Sequence, residues 1–159
     1  MGLHIVLFEP EIPANTGNIA RTCLACNATL HLIHPLGFST DDKMLKRSGL
    51  DYWYDVNVQY HDSIFDLYDK HPDGDYYYIE NFGTKYYTDV DFSDASKEWF
   101  LVFGKETTGI PKDLLVGKED KCLRIHMAKN DRVRSLNLSN TAAIIAYDVL
   151  RQQQFPGMH

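Results

Sequence analysis

The chain opens on a short, almost unbroken apolar run, residues 3–8, which shows no alternation of polar and apolar positions and stops at Glu9-Pro10. That pattern predicts a strand buried on both faces, as in a parallel sheet. After Pro13, residues Ile19, Cys23 and Cys26 recur at helical spacing, so a helix is predicted over 15–26, with Asn15 or Thr16 as its N-cap. Residues 29–34 read as a second strand. A short charged helix is predicted over 41–48, closed by Gly49, and another over 63–70, ending before His71-Pro72. Residues 75–79, 99–103 and 122–126 supply further strands, and 135–152 is the longest predicted helix. Strand and helix alternate throughout, which predicts an α/β fold with a mostly parallel sheet flanked by helices. No repeat, low-complexity tract or linker interrupts the alternation, so residues 1–159 are expected to form a single domain.

The last helix carries two apolar stripes. Leu138, Ala142, Ile145 and Val149 form one, and Leu136, Ala143, Ala146, Tyr147 and Leu150 form another on a different side. A lone surface helix needs only one such stripe. The second predicts a helix held between its own sheet and another subunit, hence a homodimer, with a deep core of one domain as the alternative.

Composition bounds the function classes. The 159 residues are 44% hydrophobic and 24% charged, an ordinary globular balance. The longest apolar runs have five or six residues, far short of the roughly 20 that cross a bilayer. No charged segment leads into an apolar one at the start, and Val6 stands where a myristoylation signal needs Ser or Thr, so a cytoplasmic protein without membrane attachment is expected. Three cysteines, Cys23, Cys26 and Cys122, make no disulfide framework. Cys23 and Cys26 lack a second pair or histidines at ligand spacing, so they read as small core residues of one helix face and no metal is expected.

The formal charge of −6 at pH 7 is regional: residues 51–98 hold 12 acidic against 3 basic side chains, and the rest of the chain is slightly basic. An acidic total argues against indiscriminate nucleic-acid binding and leaves room for local basic surfaces, here Lys43, Lys46 and Arg47, then Lys129, Arg132 and Arg134.

Three loops carry candidate chemistry. Residues 11–21 lead from the first strand into the first helix, where unpaired backbone N–H groups make an anion site and Arg21 follows within reach of a phosphate or oxyanion. Residues 104–111 follow a strand, and glycines at 104 and 109 permit close approach of a ligand to the backbone. A Walker loop would need Lys and then Ser or Thr after the second glycine, where Ile110-Pro111 stands, and Gly-x-Gly-x-x-Gly occurs nowhere. Residues 132–140 set Ser135, Asn137 and Ser139 two apart between Leu136 and Leu138, a polar turn able to face a ligand or a simple capping segment.

In this order NTGNIAR (15–21), FGKETTGIP (103–111) and RSLNLSNTAA (134–143) resemble the three signature motifs of the SPOUT superfamily of RNA methyltransferases, and the chain is most similar to its small members that methylate the ribose of the tRNA wobble nucleotide. The resemblance covers essentially the whole chain. Two positions depart from it: Thr108 stands where many relatives have arginine, which bears on one RNA contact, and His126 where many have proline before methionine, which bears on the shape of the cofactor loop. The resemblance implies a C-terminal trefoil knot, a dimer whose active site is completed across the interface, and S-adenosylmethionine surrounded by Ile79, Gly104, Glu106, Ile125, Met127, Ser135 and Leu136. The implied acceptor is the ribose 2′-hydroxyl of cytidine or modified uridine in the anticodon loop of tRNA, with S-adenosylhomocysteine as product and no role for DNA.

It also implies that Arg21 is catalytic. A guanidinium is a poor proton acceptor, so Arg21 is expected to hold a substrate phosphate and stabilise the developing alkoxide, with that phosphate or a water taking the proton. Asn15, Ser135 and Asn137 would orient these groups. Arg134, Arg132, Lys43, Lys46 and Arg47 are the expected phosphate contacts and Tyr147 a substrate-side or core residue; only splayed single-stranded bases expose a reachable ribose. Two other readings stay open: a Rossmann-like small-molecule enzyme with a nucleotide cofactor, and a non-catalytic RNA-binding protein of the same fold.

Overall fold

The run at the start of the chain becomes strand β1 (Gly2–Phe8), an interior strand of a sheet whose other strands are β2 (Thr29–Ile33), β3 (Val58–His61), β4 (Asp75–Ile79), β5 (Lys85–Tyr86), β6 (Glu98–Phe103) and β7 (Cys122–Arg124). The computed structural model describes residues 2–41 and 43–159, with positions 46 and 48–51 described by backbone alone. Neighbouring strands pair in parallel in the order β3-β2-β1-β6-β4-β7-β5. Every predicted strand is present. The sequence gives no clear signal for β3 and β5, because both are short edge strands with one neighbour each and need no continuous apolar run.

Helices α1 (Pro13–Ala25) and α4 (Leu138–Gln152) cover one face of the sheet and α3 (Ile64–Lys70) the other, while α2 (Lys43–Gly49) packs on α1. Side chains alternate along β1, so Leu3, Ile5 and Leu7 join Ile19, Cys23, Ile145 and Val149 in the larger core, whereas Val6 and Phe8 join Ile64, Leu67, Phe100 and Val102 in the smaller one. Full burial of each aliphatic side chain contributes about 1.5–3 kcal/mol. Cys23 and Cys26 are buried free thiols, as expected, and burial pushes both above the ordinary thiol range.

All four helix starts differ from the sequence reading, α2 beginning at Lys43 rather than 41 and α3 at Ile64 rather than 63, because Ser63 is its cap. α1 begins at Pro13, and Ile12 occupies the cap position without a side-chain bond. Pro13 has no N–H to satisfy and its fixed φ suits the first turn, so Asn15 and Thr16 lie inside the helix rather than capping it. α4 begins at Leu138 rather than 135, because Asn137 is its cap and accepts the backbone N–H groups of Ser139 and Asn140. β7 also stops at Arg124, short of position 126.

The second stripe of the last helix divides. Ala146 and Leu150 enter the chain's own core, while Tyr147 stays 39% exposed beside Ile144, also 39% exposed, and Leu136 lies outside the helix.

Candidate functional site

Parallel strands deliver their exits to one edge of the sheet, and there β1, β6, β4 and β7 lie side by side. Ligands of open α/β sheets bind beyond the carboxyl ends of such strands. Here the four exits, together with the start of α4, enclose a crevice of about 530 Å³. Ile12 and Asn15 come from the first segment, Gly104 to Gly109 from the second, Ser135 to Leu138 from the third, and Ile79 to Phe82 from the exit of β4. The three sequence segments therefore converge.

Side chains bolt the segments together. Glu106 accepts the backbone N–H groups of Glu11, at 3.2 Å, and Ile12, at 2.5 Å. Glu11 returns the arrangement by accepting the Thr107 hydroxyl at 2.7 Å and the Thr107 N–H at 3.1 Å. Those two bonds hold the Glu11 carboxyl below its usual range. Burial pushes Glu106 above its own, against the opposing effect of the two N–H groups. Lys105 reaches Glu9 at 3.0 Å, at the residue where the chain leaves β1 with φ of 47°. The third segment is tied to the first by Asn137, whose amide nitrogen donates to Asn15 Oδ1 at 3.0 Å while its oxygen caps α4.

The second segment folds tightly on itself. Gly109 N–H donates to Lys105 C=O at 2.8 Å, and a β-carbon on Gly104 would meet the Gly109 carbonyl carbon at 2.2 Å, so only glycine fits at 104. Gly109 itself adopts φ of 72°, beside the carboxylate of Glu80. Glu80 Oε1 accepts the Ile110 N–H at 2.5 Å, and burial raises its carboxyl above the usual range.

Of the residues expected around a cofactor, Ile79, Gly104, Glu106, Ile125, Ser135 and Leu136 line the crevice, and so do Asn15 and Asn137. Met127 is half-buried outside the lining, beyond His126, whose ring stacks on Tyr86 at 4.0 Å. Arg21 is also outside it: its guanidinium is exposed on α1, 5.5 Å from the centre of the Tyr52 ring. The basic candidates fall in two places, Lys43 and Arg47 exposed on α2, Arg132 and Arg134 exposed in the loop before α4; the Lys46 side chain lies outside the described residues. Tyr147 is on the exposed side of α4 rather than in the core.

Sequence reasoning missed Glu80, Asn81 and Phe82, and gave no role to Glu11, Ile12 and Thr107 within its candidate loops. The available signal was positional: residue 80 follows directly on a strand predicted in a parallel sheet.

A parallel sheet with a glycine-turned crevice at its carboxyl edge is the ligand-binding arrangement of open α/β proteins. Residues 2–147 match the SpoU rRNA Methylase family, and the chain belongs to that family. It is 40% identical over 158 residues to the Escherichia coli K12 tRNA (cytidine(34)-2′-O)-methyltransferase, covering 98% of this chain and 96% of that protein. It is 65% identical over 158 residues, 99% of both chains, to a Geobacillus stearothermophilus protein to which the same activity is provisionally assigned. A solved structure described as giving insights into the 2-OH methylation of C/U34 on tRNA superimposes with a TM-score of 0.85 at 38% identity, over 96% of each chain. Membership of a methylase family removes the Rossmann-like small-molecule reading. Among the described residues no helix is long and apolar enough to cross a membrane.

Proposed function

We propose that this chain transfers a methyl group from S-adenosylmethionine to the ribose 2′-hydroxyl of the wobble nucleotide, cytidine or modified uridine, in a tRNA anticodon loop, leaving S-adenosylhomocysteine. The observation that carries this is the convergence of all three signature segments on one crevice, in a chain similar from end to end to a tRNA (cytidine(34)-2′-O)-methyltransferase.

The crevice suits the donor. Its volume falls within the roughly 300–1,000 Å³ of small-molecule sites, and its lining joins apolar Ile79, Phe103, Ile125 and Leu136 with polar backbone at Gly104 and Ser135. When bound, S-adenosylmethionine supplies an electrophilic methyl on a sulfonium sulfur. Ile79, Gly104, Glu106, Ile125, Ser135 and Leu136 hold it, with Met127 behind the loop that carries Ile125. The knot implied by the resemblance belongs to this same region, where the loops after β6 and β7 would thread, and residues 1–159 act as one SPOUT domain.

The chain's own residues then do three things. Arg21 fixes the phosphate beside the target ribose and stabilises the alkoxide as the hydroxyl loses its proton to that phosphate or to water. Asn15 and Asn137 orient the site by holding the first and third segments together, and Ser135, which makes no side-chain bond among the described residues, faces the acceptor. Arg21 stands outside the crevice of its own chain, so it serves the crevice of a second copy in a homodimer. Exposed Ile12 and Leu136 at the rim, and Ile144 and Tyr147 on α4, supply apolar surface for that contact. Arg134, Arg132, Lys43, Lys46 and Arg47 contact tRNA phosphates, duplicated by the dimer, and Tyr147 lies on the substrate side. Acting on tRNA, the enzyme works in the cytoplasm.

An anticodon stem-loop tests the acceptor. Methyl transfer to the ribo form and none to the form with 2′-deoxyribose at position 34 is the expected pair of results; transfer to both contradicts the assignment of the acceptor atom.

A further inference from the structure

Among the described residues the crevice is lined by three charged side chains besides its backbone groups, and two of them already have their partners within the protein. Glu106 is occupied by the Glu11 and Ile12 N–H groups, and Lys105 by Glu9. Glu80 differs. Its Oε1 takes one N–H, from Ile110, and among the described residues nothing else is bonded to the carboxylate. Its place is fixed from the backbone, with its N–H donating to Leu123 C=O at 2.9 Å and its C=O accepting from Gly83 N–H at 3.2 Å.

Room is kept for the carboxylate. A β-carbon at position 109 would come within 2.9 Å of both Glu80 oxygens, and Gly109 leaves that space clear. The other ionisable groups facing it are Lys105 and Glu106 across the crevice and the buried Cys122 thiol on β7. None supplies an unpaired positive charge. A half-buried carboxylate with one neutral donor is costly unless a cation completes it.

Resting on the methyl-donor reading above, we propose that Glu80 is the anionic contact through which the crevice recognises the positively charged part of the donor, and so prefers a cationic adenosyl compound to a neutral one. Two charges of S-adenosylmethionine could meet it, the sulfonium and the α-ammonium. The raised carboxyl of Glu80 agrees with an anion lacking its counter-charge. Glu80 is thus a specificity residue for the donor, distinct in role from Glu106, which braces the loops.

Calorimetric titration of the intact protein with S-adenosylmethionine, S-adenosylhomocysteine and 5′-methylthioadenosine separates the possibilities. Glu80→Gln keeps a carbonyl to accept the Ile110 N–H and removes only the charge. We expect it to weaken S-adenosylmethionine about tenfold or more, the scale of a charge-assisted bond, with methylthioadenosine changed less than about twofold. Glu80→Asp, which keeps the charge, retains the preference. If S-adenosylhomocysteine weakens in parallel the ammonium is the contact, and if it does not, the sulfonium is. An equal loss for all three ligands, or no loss for S-adenosylmethionine, overturns the inference. Wild-type protein that binds none of the three would overturn the donor reading itself.

Discussion

The side-chain amide of Asn137 links two segments 122 positions apart, donating to Asn15 Oδ1 at 3.0 Å while its own oxygen caps helix α4. One residue thus fixes both the start of the last helix and its distance from the first. The two duties predict different losses.

Asn137→Ala removes the cap and the bridge together, and should cost about 1–2 kcal/mol of stability, as cap removal does. Asn15→Ala removes the bridge alone and should cost about 1 kcal/mol. Urea unfolding of both variants checks the order; equal losses would show that the cap carries no weight.

Arg21→Ala should lower kcat/KM for tRNA about 100- to 1,000-fold, the range for losing one preorganised charge-stabilising group. The affinity for S-adenosylmethionine should be unchanged, because the guanidinium is assigned to the substrate phosphate and not to the donor. If Arg21 serves the partner's crevice, mixing this variant with a Gly104→Ala protein recovers activity that neither has alone. Turnover and donor binding, measured separately, check both points.

Glu106→Ala leaves the Glu11 and Ile12 N–H groups without their acceptor. Orphaning such donors costs about 1–3 kcal/mol each when they stay dry. The expected result is a lower thermal midpoint together with weaker binding of every adenosyl ligand, in contrast to Glu80→Gln.

Acid sensitivity follows from a row of imidazoles across the sheet. His4 and His31 are joined at 2.9 Å, His31 and His61 at 2.9 Å, and the row ends on Glu98 beside His4 and on Asp66, 3.7 Å from His61. Burial lowers all three, His31 to about 2. The folded chain then refuses protons that the unfolded chain accepts below its ordinary histidine range. Stability is therefore unaffected by these residues above about pH 6.5 and falls as the pH drops beneath it, by up to about 1.4 kcal/mol per pH unit for His31. Urea midpoints between pH 8 and 5 measure this, and a flat profile would contradict the neutral row.

Much of the frame was legible because two-sided burial leaves continuous apolar runs, as at β1 and β6, and because α4 repeats its apolar residues at helical spacing. Edge strands β3 and β5 leave no such trace. The crevice was legible where its residues belong to the three motifs, since those carry glycine and polar positions no core needs. Glu80 and Phe82 escaped because an isolated acidic residue after a strand has the same local sequence whether it faces water or a cavity. Arg21 was singled out by its place after the first loop and given its catalytic role by resemblance, while its separation from the crevice depends on helix phase: six residues beyond Asn15, it projects from a different side of α1. The Glu11–Thr107 and Glu106–Glu11 bonds join positions about 95 apart, which local patterns do not reveal.

The most direct measurement is nucleoside mapping of unmethylated tRNA after incubation of the purified protein with isotopically labelled S-adenosylmethionine. The account predicts label on the ribose of nucleotide 34 and on no other. Label on a base, label at another position, or a tRNA that binds and stays unlabelled would contradict it.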